Sequence, residues 1–123
     1  MRVLLIESEK PPRAAEVDNT LEAMQQVVGG YIQAIYPFRE EVAIVCNDEG
    51  KLLGLPPNRA LRDNSGRIYD VIAGTFFICA VSTDGEGFAG LTEGQMERYS
   101  QIFQQPEMFL RIDGKLVCIP FDE

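Results

Sequence analysis

Arg67-Ile68-Tyr69-Asp70-Val71-Ile72-Ala73-Gly74-Thr75-Phe76-Phe77-Ile78-Cys79-Ala80-Val81 is the densest run of strand-forming residues in this chain, and its reading decides the fold. Ile, Val, Phe and Thr suit a pleated surface, and a continuous apolar run of this kind predicts a central strand covered on both faces. Gly74 interrupts the run and is expected to make a bulge or bend. Asp70 is its one acidic residue. Inside an apolar strand it either turns outward to water or needs compensation, for which Arg59 and Arg62 are candidates.

Working outward, Val42 to Cys46 and Lys51 to Leu55 read as a hairpin around Asn47-Asp48-Glu49-Gly50, with Pro56-Pro57 ending the second strand. Asn64-Ser65-Gly66 marks a turn. Toward the N-terminus, Arg2 to Ile6 and Arg13 to Val17 read as strands joined through Pro11-Pro12, where a missing amide donor forces a reversal. Asp18, Asn19 and Thr20 are candidate N-caps for a helix over Leu21 to Val28, with Leu21, Met24, Val27 and Val28 on one face and Gly29-Gly30 as the stop. Tyr31 to Tyr36 fits either a strand or a short helix. Toward the C-terminus, Thr92 and Gln95 have the spacing of a capping box. Met96, Tyr99, Ile102 and Phe103 then form a helical stripe ended by Pro106. Met108 to Ile112 and Lys115 to Ile119 flank Asp113-Gly114, the dipeptide suited to a primed two-residue turn. The sum is one small α+β domain over residues 1–123, mostly antiparallel sheet with two main helices.

Composition narrows the function classes. The 123 residues suffice for one core. No apolar run approaches the ~20 residues of a membrane-spanning helix, and Glu7 and Glu9 follow the first apolar stretch too closely for a leader. A cytoplasmic protein is expected. Three cysteines, an odd number, each lie among strand formers and read as buried reduced thiols. The chain has no histidine, which excludes hydrolases built on a histidine base and leaves a zinc site short of ligands. No cofactor and no metal site is expected. The adjacent carboxylates Glu40-Glu41 and Asp48-Glu49 read as decoration of solvated turns. Gly85-Glu86-Gly87 lacks the lysine and threonine of a phosphate-binding loop.

A net charge of -8 argues against direct nucleic-acid binding by the surface as a whole. Lys51, Arg59, Arg62 and Arg67 stand against Asp63 alone, so residues 51–67 carry +3 and the remainder -11. A loop from Gly54 to Arg62, stiffened by two prolines, would present Asn58 and Arg59 at reduced entropic cost. Arg59 could fork onto a phosphate or carboxylate and Asn58 could read an amide or base edge. Asn47, Asn58, Arg59, Arg62 and Asp70 are therefore the candidate ligand-binding residues. The alternative is that Arg59 pairs with Asp63 or Asp70 and only turns the chain.

Leu21-Glu22-Ala23-Met24-Gln25 through Gly29-Gly30-Tyr31-Ile32, Cys46 through Leu52, Gly54-Leu55-Pro56-Pro57-Asn58-Arg59-Ala60, and Asp70 through Phe76 occur in an order that resembles the family known as domain of unknown function 3846. The resemblance covers about Met1 to Ala80 and leaves aside the C-terminal helix and hairpin of 92–119. It implies a small accessory protein of phages, plasmids or conjugative elements, and it brings no catalytic residue. Three functions are open at this point. The first is a non-enzymatic module that binds a host or element-encoded protein. The second is a module that sequesters a small anion or nucleotide at Asn58, Arg59 and Arg62, and the third an enzyme working through a carboxylate such as Asp70 or Glu49, which no motif announces; an acidic mimic of DNA is a subtype of the first.

Overall fold

A computed structural model describes residues 1–121. Its strands are β1 (Arg2–Ile6), β2 (Arg13–Glu16), β3 (Ile32–Ile35), β4 (Val42–Asn47), β5 (Pro57–Arg62), β6 (Ile68–Ala73), β7 (Phe76–Val81), β8 (Phe88–Ala89), β9 (Glu107–Ile112) and β10 (Lys115–Pro120). Helix α1 spans Leu21–Val28 and α2 spans Glu93–Ile102. The architecture is α+β with antiparallel pairing throughout. A main sheet runs β2-β1-β7-β4-β3 with β8 alongside β7, and β5-β6 and β9-β10 form two separate ribbons.

The central position of β7 follows from its composition. Phe76, Ile78 and Ala80 point to one face and Phe77 and Cys79 to the other, and all five are buried. One face joins Leu4, Ile6, Ile44, Leu61, Ile72, Met96, Tyr99 and Phe103, drawn from the sheet, the β5-β6 ribbon and α2. The opposite face joins Val3, Leu5, Val45, Met24 and Val28 beneath α1. Truncating Phe76 or Phe77 to alanine would cost about 3–5 kcal/mol. Both helices are stopped and started as their sequences require. Thr20 caps α1, Gly29 closes it at φ 80°, and the Thr92–Gln95 capping box is complete at α2. Of the expected apolar stripes, Leu21 and Ile102 face solvent instead.

The segment Tyr31 to Tyr36 resolves as the edge strand β3, paired with β4. The expected hairpin of β4 with residues 51–55 does not form. The Asn47 side chain accepts from the Glu49 amide (2.8 Å), and Leu53 N donates to Glu49 O (2.9 Å), so the chain leaves β4 in a helical turn. A proline does not end a strand here either. Pro57 opens β5, where the first residue of a strand can lack a donor. The run 67–81 is split at Gly74, whose φ of 85° turns the chain from the ribbon into the main sheet. A side chain at Gly74 would also collide with Leu55, at 2.7 Å.

Candidate interaction surfaces

The five candidate residues separate on folding. Asn58 and Arg59 belong to β5, a strand and no presenting loop, and both are 0% exposed. Asn58 Nδ2 donates to the carbonyls of Ile6 and Gly74, each at 2.9 Å, tying the end of β1 to the bend before β7. Arg59 donates to Phe103 O (3.2 Å), Lys10 O (2.7 Å), and Asn58 O and Oδ1 (3.2 and 2.9 Å). Its hydrogen-bond partners are therefore neither Asp63 nor Asp70. Burial lowers the Arg59 pKa, and the nearby Glu107 charge opposes that shift. Phe103 caps the C-terminus of α2, where unpaired carbonyls and the helix dipole favour a cation. Asn58 and Arg59 are thus a polar clasp inside the core, with their donors already committed.

Arg62 grips Glu107 in a fork, Nη1 to Oε1 at 3.2 Å and Nη2 to Oε2 at 2.8 Å. Glu107 Oε1 also accepts from the Ala60 amide (3.3 Å), and the Cys118 thiol donates to Oε2. Burial pushes the Glu107 carboxyl up, yet its bonds from Arg62, Cys118 and Ala60 outweigh this and hold it below the ordinary 4.5. Cys118 itself is pushed up to about 11, first by burial and then by Glu107, so its thiol stays protonated.

Asn47 and Asp70 alone of the five line one cleft, of about 320 Å³, between β4 and β6. Asn47 bonds the last carbonyl of α1 at Val28 (3.1 Å). Asp70 is turned outward, where Lys51 Nζ at 2.6 Å supplies its counter-charge in place of an arginine. Asp70 also accepts from the Val71 amide (2.8 Å). The basic cluster of residues 51–67 is thereby dispersed: Arg59 in the core, Arg62 on Glu107, Lys51 on Asp70, and Arg67 exposed. Glu40, expected on a solvated turn, instead accepts from Tyr99 Oη (2.6 Å), Gln95 Nε2 (3.0 Å) and Arg98. Those bonds, the Tyr99 hydroxyl foremost, lower its pKa and pin the β3-β4 loop to α2.

The surface feature missing from the candidate set is the β9-β10 hairpin. Asp113 (φ 51°) and Gly114 (φ 77°) form the primed turn that their sequence predicts. In the register, Leu110 opposes Val117, Met108 opposes Ile119, and Ile112 opposes Lys115. Met108, Leu110 and Ile112, with Lys115, Val117 and Ile119, therefore share one face, and none belongs to either core. They are 39, 43 and 53% exposed for the first three. The other face meets β5 through Glu107, but Arg111 and Leu116 further out are exposed as well. The distal half of the hairpin stands clear of the body on both sides. The alternation Met108, Leu110, Ile112 was the available signal; a strand assignment without a statement of which face is covered hides it.

The sequence profile of the family described as Domain of unknown function (DUF3846) matches residues 1–104. The chain belongs to that family. The match reaches through α2, further than the motifs ending near Ala80 suggest, and it stops short of β9. No curated protein and no solved structure matches the chain. Among the described residues no helix is long and apolar enough to cross a membrane, and no group of three or more His, Cys, Asp or Glu side chains is placed to hold a metal ion.

Proposed function

We propose that this chain is a non-enzymatic accessory protein of a mobile genetic element, acting in the cytoplasm, which binds a host or element-encoded protein through the outer face of the β9-β10 hairpin. The observation that carries the reading is the exposed apolar stripe Met108, Leu110, Ile112 on a separate two-stranded ribbon tied to β5 through Glu107 and Arg62. A lone two-stranded ribbon is marginal in water, and an apolar face left open on it gains most by docking to another apolar surface. Free cysteines in β4, β7 and β10 fit a reducing compartment. The small-anion reading draws no support from Asn58 and Arg59, whose hydrogen bonds run to backbone carbonyls and to one another inside the core. Native mass spectrometry of the protein purified from its own host, beside Leu110→Lys, tests the proposal. The expected result is a stoichiometric protein adduct lost in the variant. An adduct that survives Leu110→Lys, or a small anion as the sole adduct, would overturn it.

A further inference from the structure

We infer that the free edge of β3 is a strand-addition site for an extended segment of a partner protein, one that carries a basic side chain into the adjoining acidic cleft. The site is separate from the hairpin face.

The phase of the β3-β4 ladder fixes which groups are free. Asp48 N donates to Tyr31 O (2.8 Å), and these two residues stand directly opposite in the register that pairs Ile32 with Asn47. Hydrogen-bonded pairs recur every second residue, so Tyr31, Gln33 and Ile35 direct their backbone groups to β4. Ile32 and Ala34 direct theirs outward, where no strand follows among the described residues. Unblocked edges invite pairing, and proteins ordinarily blunt them. This one does so elsewhere. The opposite edge of the main sheet, β2, follows Pro11-Pro12 and carries Arg13 and Glu16. In the β5-β6 ribbon, Ala60 and Val71 are cross-strand partners whose outward amides are each taken by a carboxylate, Glu107 on one side and Asp70 on the other. The sequence of β3, Ile-Gln-Ala-Ile, has no charge, no proline and no bulge.

The chemistry of the occupant follows from what lies beside the edge. The 320 Å³ cleft is bordered by Gln33 and Ile35 of β3 and walled across by β6. A strand added to β3 would sit ~4.8 Å further out and hang every second side chain over the mouth of that cleft. Asp48, Glu49 and Asp70 line it against Lys51 alone, and Lys51 is already bonded to Asp70. Neither Asp48 nor Glu49 has an ion pair among the described residues. A lysine or arginine at the alternating position complements them. A second copy of the chain does not, because β3 pairing with itself brings no cation and sets a net charge of -8 against another.

The test is amide-resolved NMR of the full ¹⁵N-labelled chain titrated with a capped peptide of alternating Val and Arg, and with the same peptide carrying Glu for Arg. Shifts and slowed amide exchange at Ile32 and Ala34 are expected with the Arg peptide. Binding should fall at least about tenfold, or ~1.4 kcal/mol, with the Glu peptide and in Ala34→Pro, which removes an outward donor at an edge position that tolerates proline. Leu110→Lys should bind the Arg peptide unchanged, separating this site from the hairpin. Equal binding of both peptides, full binding by folded Ala34→Pro, or no response at Ile32 and Ala34 would overturn the inference. So would slow exchange at those amides without peptide that grows with protein concentration, since the occupant would then be a second copy.

Discussion

Strands β5 and β9 invert the usual distribution of polarity. β5 sinks Asn58 and Arg59 to full burial, whereas β9 leaves Met108, Leu110 and Ile112 in contact with water. The difference shows that burial is decided by the partners at hand. Around Arg59 the fold supplies four acceptors, including the end of α2, so a guanidinium is held as firmly as an apolar side chain. Leu110 belongs to neither core, so the residue stays in contact with water.

The sharpest way to break the comparison is to remove the clasp. Arg59→Ala leaves the carbonyls of Phe103 and Lys10 without their donor and opens a void, so the expected loss is at least about 3 kcal/mol, at ~1–3 kcal/mol for each orphaned group. Urea denaturation measures it, and a loss below 1 kcal/mol would mean that the clasp is ornamental. Asn58→Ala should follow at about 2–3 kcal/mol for the same reason.

Next in size is the link between the two strands. Glu107→Gln gives up the charged fork to Arg62, at about 1.5–3 kcal/mol. The pH dependence has a definite sign. The folded carboxyl lies below its ordinary 4.5, so its contribution is complete above that value and drains away as the pH falls through the folded pKa. Acid titration of stability should therefore show a limb below pH ~4.5 that Glu107→Gln flattens. An unchanged limb in the variant would assign acid sensitivity to other carboxylates, Glu40 first among them.

At the small end, Leu110→Ser should alter stability by no more than about 0.5 kcal/mol while abolishing the protein adduct. A loss of 2 kcal/mol or more would place Leu110 in a core of its own chain and remove the inversion altogether.

Much of the fold was legible because local chemistry and global position agree. Thr92 with Gln95, Asp113-Gly114, Gly29 and the run through Phe76 to Val81 each do in the fold what their types favour. β5 was illegible for a physical reason: its middle reads as polar loop after two prolines, and only acceptors brought from Ile6, Lys10, Gly74 and Phe103, distant in the chain, turn it into interior strand. The same long-range bonds dissolve the basic cluster that residues 51–67 suggest. Asn47 and Asp70 do share a cleft, but nothing in their spacing joins them without β4 and β6 in place. The hairpin was visible as secondary structure. Which of its faces would be left bare depends on Glu107 finding Arg62, a pairing across 45 residues.

The position of β7 has a consequence for how the chain comes to be. β2 and β1 form one half of the main sheet and β3 and β4 the other, and the halves meet through β7. During synthesis both earlier hairpins leave the ribosome first, each with an apolar flank that lacks its neighbour. They wait for the keystone. Until Phe76 to Val81 emerges, the nascent chain is at its most vulnerable to mispairing, and the closure of β1 on a strand some seventy residues later sets a slow step that local helix formation cannot hasten.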